Sequence, residues 1–207
     1  MIISHKHKFI FVKTAKVAGT SIEVFLSQYC GPQDVLTPIF PHVEPHSARN
    51  YEGYFNHMPA HQIRERVGPE IWDTYFKFCV ERNPWEKALS WYRMKTLRGD
   101  RDFKDLTFDA YLAGTQLPIN FPHYTEPNNP DKMIVDKVLY FERLMDDLGQ
   151  VFEELGIPFQ GSLGVNAKSE YSLVRRPYQE FYTPEQANTV ANRFRQEILL
   201  HENRYKF

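Results

Sequence analysis

The chain is short of several things that would decide its class at once. It has two cysteines in 207 residues, Cys30 and Cys79, and no Cys-x-x-Cys pair. That excludes a disulfide-stapled scaffold and a thiolate zinc ribbon, and a thiol-reduced compartment is the simplest setting. No apolar run approaches the roughly 18 residues of a membrane helix, and no basic segment leads into a long apolar stretch at the start. No membrane insertion is expected, and a cytoplasmic location is. An excess of charge is also missing, since 25 Lys and Arg against 26 Asp and Glu leave −1. A general nucleic-acid binder shows a basic surplus, so that class is set aside, although a local basic cleft is not. No glycine is followed by lysine, which removes the Walker A loop.

What is present is an alternation of strand and helix patterns without repeats. The apolar run Phe9 to Val12 reads as a strand near 8–13, and residues 20–29 as a helix with Ile22, Phe25 and Leu26 on one face. Residues 30–58 read as loop with one short strand. Short helices follow near 60–67 and 69–73, then a strand over 75–81 and a helix from Pro84 to about Leu97. Thr107 caps a helix through Leu112, with Gly114 as its stop. Residues 115–133 hold four prolines and three asparagines and read as a long surface loop. A strand near 135–141 and helices near 143–155 and 184–201 complete the chain. This order predicts an α/β fold with a parallel sheet covered by helices, as one domain over residues 1–207.

Two segments carry chemistry. In the first, the strand ending near Val12 is followed by Lys16 and the small-residue turn Ala18-Gly19-Thr20-Ser21, and then by a helix. Strand, tight turn and helix aim backbone N–H groups and a positive helix end at an anion, and Thr20 and Ser21 add hydroxyls. An ordinary tight connection at Gly19 is the other reading. In the second, Arg82 ends a strand, Asn83 is a good N-cap, Pro84 a good first helical residue, and Glu86 stands where a capping box places it. Ligands of open α/β sheets bind beyond the carboxyl ends of the strands, where the fork of Arg82 suits a phosphate. A strand-end arginine paired with a nearby carboxylate is the alternative.

Together these segments resemble the paired nucleotide motifs of the sulfotransferases that use 3'-phosphoadenosine 5'-phosphosulfate (PAPS), in the carbohydrate-type branch similar to heparan sulfate 2-O-sulfotransferase and bacterial relatives. Lys16-Val17-Ala18-Gly19-Thr20-Ser21 resembles the 5'-phosphosulfate loop, and Arg82-Asn83-Pro84-Trp85 with Ser90-Trp91-Tyr92 resembles the 3'-phosphate motif. The likeness extends through Asp136 to Pro158, through Asn166-Ala167-Lys168-Ser169 and Tyr182-Thr183-Pro184-Glu185, and so over essentially the whole chain. Val17 departs from the usual threonine and removes one hydroxyl from the loop. Lys13 is a second lysine near the loop, but Lys16 stands in the family's register, three residues before Gly19. Lys13 is expected to end the strand, where it either adds positive potential or is simply solvated.

The resemblance implies a P-loop-like three-layer fold with a central, mainly parallel sheet flanked by helices. It implies in-line transfer of a sulfuryl group from PAPS to an acceptor hydroxyl, on a carbohydrate by analogy, with PAP as product. Lys16 would neutralise the leaving phosphate. Ala18, Gly19, Thr20 and Ser21 would hold the 5'-phosphate, and Arg82 and Ser90 the 3'-phosphate. Lys168 lies where relatives bring residues to the nucleotide or acceptor.

The acceptor proton needs a base, and histidine is the natural one near neutral pH. In Asn56-His57-Met58-Pro59-Ala60-His61, Pro59 opens a helix, which leaves His57 in the preceding loop and His61 in the first turn. His57 is preferred and His61 is second. Their spacing of four invites a metal, but no Glu lies beside His57 and no third ligand is evident, so no metal is expected. His42, His46, His57 and His61 with Arg49 are candidates for an anionic or sugar-binding cleft. Trp85 and Trp91 are candidates for stacking near the adenine or for core packing. Arg93, Lys95, Arg98 and Arg101 read as a solvated helix face or as contacts to an acidic acceptor. A nucleotide phosphotransferase, or a relative that binds nucleotide without turnover, is the alternative function.

Overall fold

The computed structural model describes residues 1–164, 176–202 and 204–207. In chain order its principal elements are β1 (Ile2–Ser4), β2 (Phe9–Phe11), α1 (Gly19–Ser27), β3 (Val35–Leu36), α2 (Ala60–Thr74), β4 (Phe76–Glu81) and α3 (Pro84–Leu97). There follow α4 (Phe108–Ala113), β5 (Thr125–Glu126), β6 (Asn129–Met133), β7 (Lys137–Tyr140), α5 (Leu144–Glu154), α6 (Pro184–Arg193) and α7 (Arg195–Leu200). These elements fall into two units, one comprising Met1–Glu81 and the segment that begins at Phe121, the other Arg82–Asn120 and the C-terminal segment.

The first unit holds the main sheet, in the order β3-β1-β2-β4-β7. The α/β expectation with helices flanking a central sheet holds. The sheet is mixed rather than mainly parallel. β2 pairs parallel with β4, and β4 with β7, while β1 pairs antiparallel with both β2 and β3. The physical reason is the short connection between β1 and β2, which allows a hairpin and no crossover.

Alternation divides the sheet residues between two faces. Phe9, Phe11, Phe78, Val80 and Leu139 pack with Ile22, Phe25 and Leu26 of α1 and with Leu148, Val151 and Phe152 of α5. Phe25 stacks on Phe152 with centroids 5.2 Å apart. On the opposite face, Lys77 donates to the Trp72 carbonyl at 2.9 Å and lies over the Trp72 ring, so α2 flanks that side. α2 is two helices end to end. Gly68 breaks it at φ 77°, and Pro69 restarts it, as the Gly-Pro pair predicts.

Residues 115–133 are not one long loop. A 3-10 turn at Phe121–His123 leads into the hairpin of β5 and β6. Every residue of β6 is exposed, so it carries no apolar alternation for a sequence reading to detect. Arg64 of α2 grips Glu126 of the hairpin with both terminal nitrogens, at 2.8 and 2.9 Å.

The second unit is helical. α3 spans Pro84–Leu97 as expected, and α4 starts at Thr107, whose hydroxyl accepts from the Ala110 N–H. The helix expected over 184–201 is two, α6 and α7, separated by Phe194. Lys87 and Glu197 form an ion pair at 2.7 Å with both side chains fully buried. Glu197 also accepts the Asn120 N–H, and Lys87 lies over the Phe194 ring. Among the described residues no helix is long and apolar enough to cross a membrane.

Candidate active site

The connection from β2 to α1 is held at fixed points. The Val12 N–H donates to the Phe78 carbonyl at 2.9 Å, and the Thr14 hydroxyl donates to the Val80 carbonyl, so the loop starts moored to β4. Val17 is fully buried in the core cluster. The side chain at that position turns inward, so the valine that replaces the usual threonine fills core volume. Lys16 and Ala18, on either side of it, are left-handed, at φ 61° and 60°. Non-glycine residues adopt that conformation only when their surroundings enforce it, and such residues gather at functional sites. Ala18 is the N-cap of α1 and supplies no side-chain hydrogen bond to the helix. Thr20 and Ser21 lie in the first turn and are buried.

Lys13 corrects the expectation of a solvated strand end. Its side chain is 4% exposed and pairs with Glu23, one turn into α1, which also accepts the Met1 ammonium. Burial works against the Glu23 charge, but the Met1 ammonium and Lys13 outweigh it and hold the carboxyl below its usual range. The methylenes of Lys13 run along Gly19, where a Cβ would stand 2.9 Å from Lys13 Cγ. Glycine is required there by this close approach of the side chain. Lys13 therefore ties the two ends of the loop before α1 together from its buried side.

His57 is held by the same residue. Its Nδ1 lies 3.1 Å from the Lys13 carbonyl, which accepts the Nδ1 proton and leaves Nε2 as the lone-pair nitrogen. The backbone of His57 is left-handed, at φ 61°. Burial, then the Lys13 charge, push its pKa down to about 3, so the ring is neutral at ordinary pH. His123 meets the His57 ring edge-on, with centroids 6.5 Å apart. It was not legible in a segment that read as plain loop. Glu81, fully buried at the end of β4, accepts the Tyr124 hydroxyl at 3.1 Å and was missed because its partner comes from that same loop segment.

The wider histidine cleft is not assembled. His42 is exposed and pairs with Glu44, His46 is buried, and Arg49 is spent on the Cys30 and Gly31 carbonyls. Among the described residues no three His, Cys, Asp or Glu side chains gather as a metal-binding group.

In the second unit, Arg82 bonds Glu86 Oε2 through Nε and Nη2, at 3.2 and 3.1 Å. Asn83 Oδ1 accepts from the Trp85 and Glu86 N–H groups, so Glu86 contributes its backbone to the cap and its carboxylate to Arg82. The expected reciprocal box gives way to this ion pair. Ser90 is half-buried one turn after Glu86 and shares its face of α3, so Arg82, Glu86 and Ser90 line one edge of the helix. Trp85 is buried and donates from Nε1 to the Ala187 carbonyl at 2.9 Å, which makes it core. Arg93 lies over Phe181 and Lys95 pairs with Asp100. Lys168 lies outside the described residues.

Comparison with known proteins bears on the family and the fold. A model of the Sulfotransferase family matches residues 1–200. A protein of Archaeoglobus fulgidus, described as uncharacterized, is 37% identical over 115 residues, which are 55% of this chain and 94% of that protein. The crystal structure of mouse sulfotransferase SULT7A1 complexed with PAP aligns with a TM-score of 0.54 at 15% identity, over 98% of this chain and 86% of that one. At that identity the likeness is one of fold.

Proposed function

The chain belongs to the Sulfotransferase family, and from that premise we propose that it moves the sulfuryl group of PAPS to an acceptor hydroxyl on a carbohydrate. The observation that carries the reading is the loop before α1, with Lys16 and Ala18 left-handed around a buried Val17 and no side-chain cap from Ala18. A helix start that its own N-cap side chain does not serve, beside a lysine, fits the 5'-phosphosulfate of PAPS. PAPS brings an activated sulfuryl group on a phosphate that leaves.

The work of the chain is positioning and charge neutralisation. The Lys16 ammonium neutralises the leaving phosphate. Backbone N–H groups from Ala18 to Ser21 and the Thr20 and Ser21 hydroxyls hold the 5'-phosphate. Arg82 and Ser90 are assigned to the 3'-phosphate, with Lys168 as a further contact. His57 takes the acceptor proton at Nε2, and its Nδ1 contact with Lys13 supports it over His61 as the base. The low intrinsic basicity of His57 keeps it unprotonated, and an anionic nucleotide nearby would raise it toward the range a base needs. The two compact units are read as one catalytic domain, since the family match runs through both. No metal, nucleic acid or membrane enters this scheme, and a cytoplasmic setting agrees with its two cysteines, neither of them in a disulfide.

The test is transfer from radiolabelled PAPS to a panel of saccharide, phenol and alcohol acceptors. Loss of one preorganised electrostatic donor costs about 10²–10³ in rate, so Lys16→Ala should be nearly inactive while remaining folded. An active Lys16→Ala enzyme would overturn the assignment.

A further inference from the structure

Met58, His61, Gln62, Glu65 and Arg66 line an open cleft of about 680 Å³ beside the first half of α2. Helical spacing puts His61, Gln62, Glu65 and Arg66 on one face of α2, with Met58 just before the helix, while Ala60 and Ile63 are buried on another face. The volume is that of a small-molecule site. The His61 Nδ1 atom is buried and has no hydrogen-bond partner among the described residues. The Arg66 guanidinium lies over the Tyr54 ring at 5.4 Å, and Gly53 closes on it so tightly that a Cβ there would stand 2.0 Å from Nη1. The loop at 53–54 thus holds the Arg66 guanidinium, which lines the cleft with His61, Gln62 and Glu65 of α2.

We propose that this cleft, which begins at the residue after His57, binds the acceptor, and that the acceptor is a neutral polyhydroxylated saccharide. The proposal rests on the sulfotransferase reading above. The cleft offers a carboxylate, a guanidinium, an amide and an imidazole, a set that accepts from and donates to adjacent hydroxyls. Glu65 and Arg66 cancel in charge. A polyanionic glycan would meet the Glu65 carboxylate with one arginine to offset it. A phenol or lipid needs apolar walls, and Met58 is the single apolar lining residue.

The experiment measures transfer from radiolabelled PAPS to maltotriose, cellotriose and lactose, with chondroitin and 4-nitrophenol as the charged and aromatic probes. PAP binding is followed in parallel by thermal shift. The expected result is incorporation into a neutral saccharide. In Gln62→Ala, Glu65→Ala and Arg66→Ala, KM should rise about tenfold while kcat and the PAP shift stay as in the parent, because a binding contact is lost and no chemical group. Arg66→Lys, which keeps the charge and loses the fork, should fall between. Transfer to chondroitin or 4-nitrophenol alone overturns the proposal, as does transfer to neutral saccharides with KM unmoved in all three alanine variants. Transfer to none of the probes with PAP still bound overturns the acceptor assignment and leaves the nucleotide reading standing. Loss of PAP binding in the parent enzyme would strike the sulfotransferase reading itself.

Discussion

Helices α1 and α3 each follow a strand of the main sheet, and both strand ends lead into residues assigned to the nucleotide. Their first turns are built differently. α3 is capped by its own sequence, with Asn83 accepting two N–H groups, Pro84 at the start and Glu86 holding Arg82 outside the helix. α1 begins at a left-handed Ala18 with no side chain to offer. Each unit also buries one lysine–glutamate pair. Lys87–Glu197 lies within the helices of the second unit, whereas Lys13–Glu23 lies directly behind the loop before α1. A self-capped helix with an external arginine is stable before any ligand arrives. An uncapped helix start needs bracing from behind, which Lys13, Glu23 and Val17 provide.

The largest expected effect separates the two buried pairs. Removing one partner of a buried ion pair costs about 3–5 kcal/mol, so Glu23→Gln and Glu197→Gln should both show that loss in urea unfolding. At temperatures where both variants are folded, Glu23→Gln should also weaken PAP binding, and Glu197→Gln should leave it unchanged. Equal effects on PAP would erase the distinction between a brace and an ordinary core pair.

A smaller effect is a pH dependence. The folded-state pKa of His57 is depressed from 6.5 to about 3, so between those values the unfolded chain binds more protons than the native one. Stability from this group is therefore complete above about 6.5 and falls as the pH drops toward 3. His57→Asn should flatten that part of a Tm-against-pH curve, and an unchanged acid limb would show that His57 is not held neutral by burial.

The smallest pair of effects probes the caps directly. Asn83→Ala should cost about 0.5–2 kcal/mol, the usual worth of a side-chain N-cap. Ala18→Gly should stabilise by about 1 kcal/mol, because glycine adopts a positive φ without the Cβ clash. Opposite signs in denaturant unfolding would sustain the contrast between the two helix starts, and matching signs would break it.

The parts of the molecule legible from sequence are those in which local chemistry determines the outcome. Asn83-Pro84 fixed the start of α3, Thr107 that of α4, and Gly68-Pro69 the break in α2. What escaped depends on partners distant in the chain. Lys13 read as a solvated strand end because the carboxylate that buries it is ten residues away on another element. His123 and Glu81 acquire their places from tertiary packing, and the β5–β6 hairpin has no apolar alternation. β1 consists of three residues, too few to show a period. In the candidate site, the turn at Ala18 and Gly19 was legible because a tight turn demands small residues, while the inward direction of Val17 was visible only in the packed core.

The most direct test of the account is a thermal-shift titration with PAP beside ADP, on the parent chain and on Arg82→Ala. A ligand at 100 times its Kd stabilises by about 2.7 kcal/mol, a shift of several degrees for a chain of this size. The account predicts a shift with PAP that Arg82→Ala abolishes and that ADP, lacking the 3'-phosphate, does not produce. Equal shifts with ADP and PAP would point to a phosphotransferase, and no shift with either would mean that the loop before α1 does not bind a nucleotide.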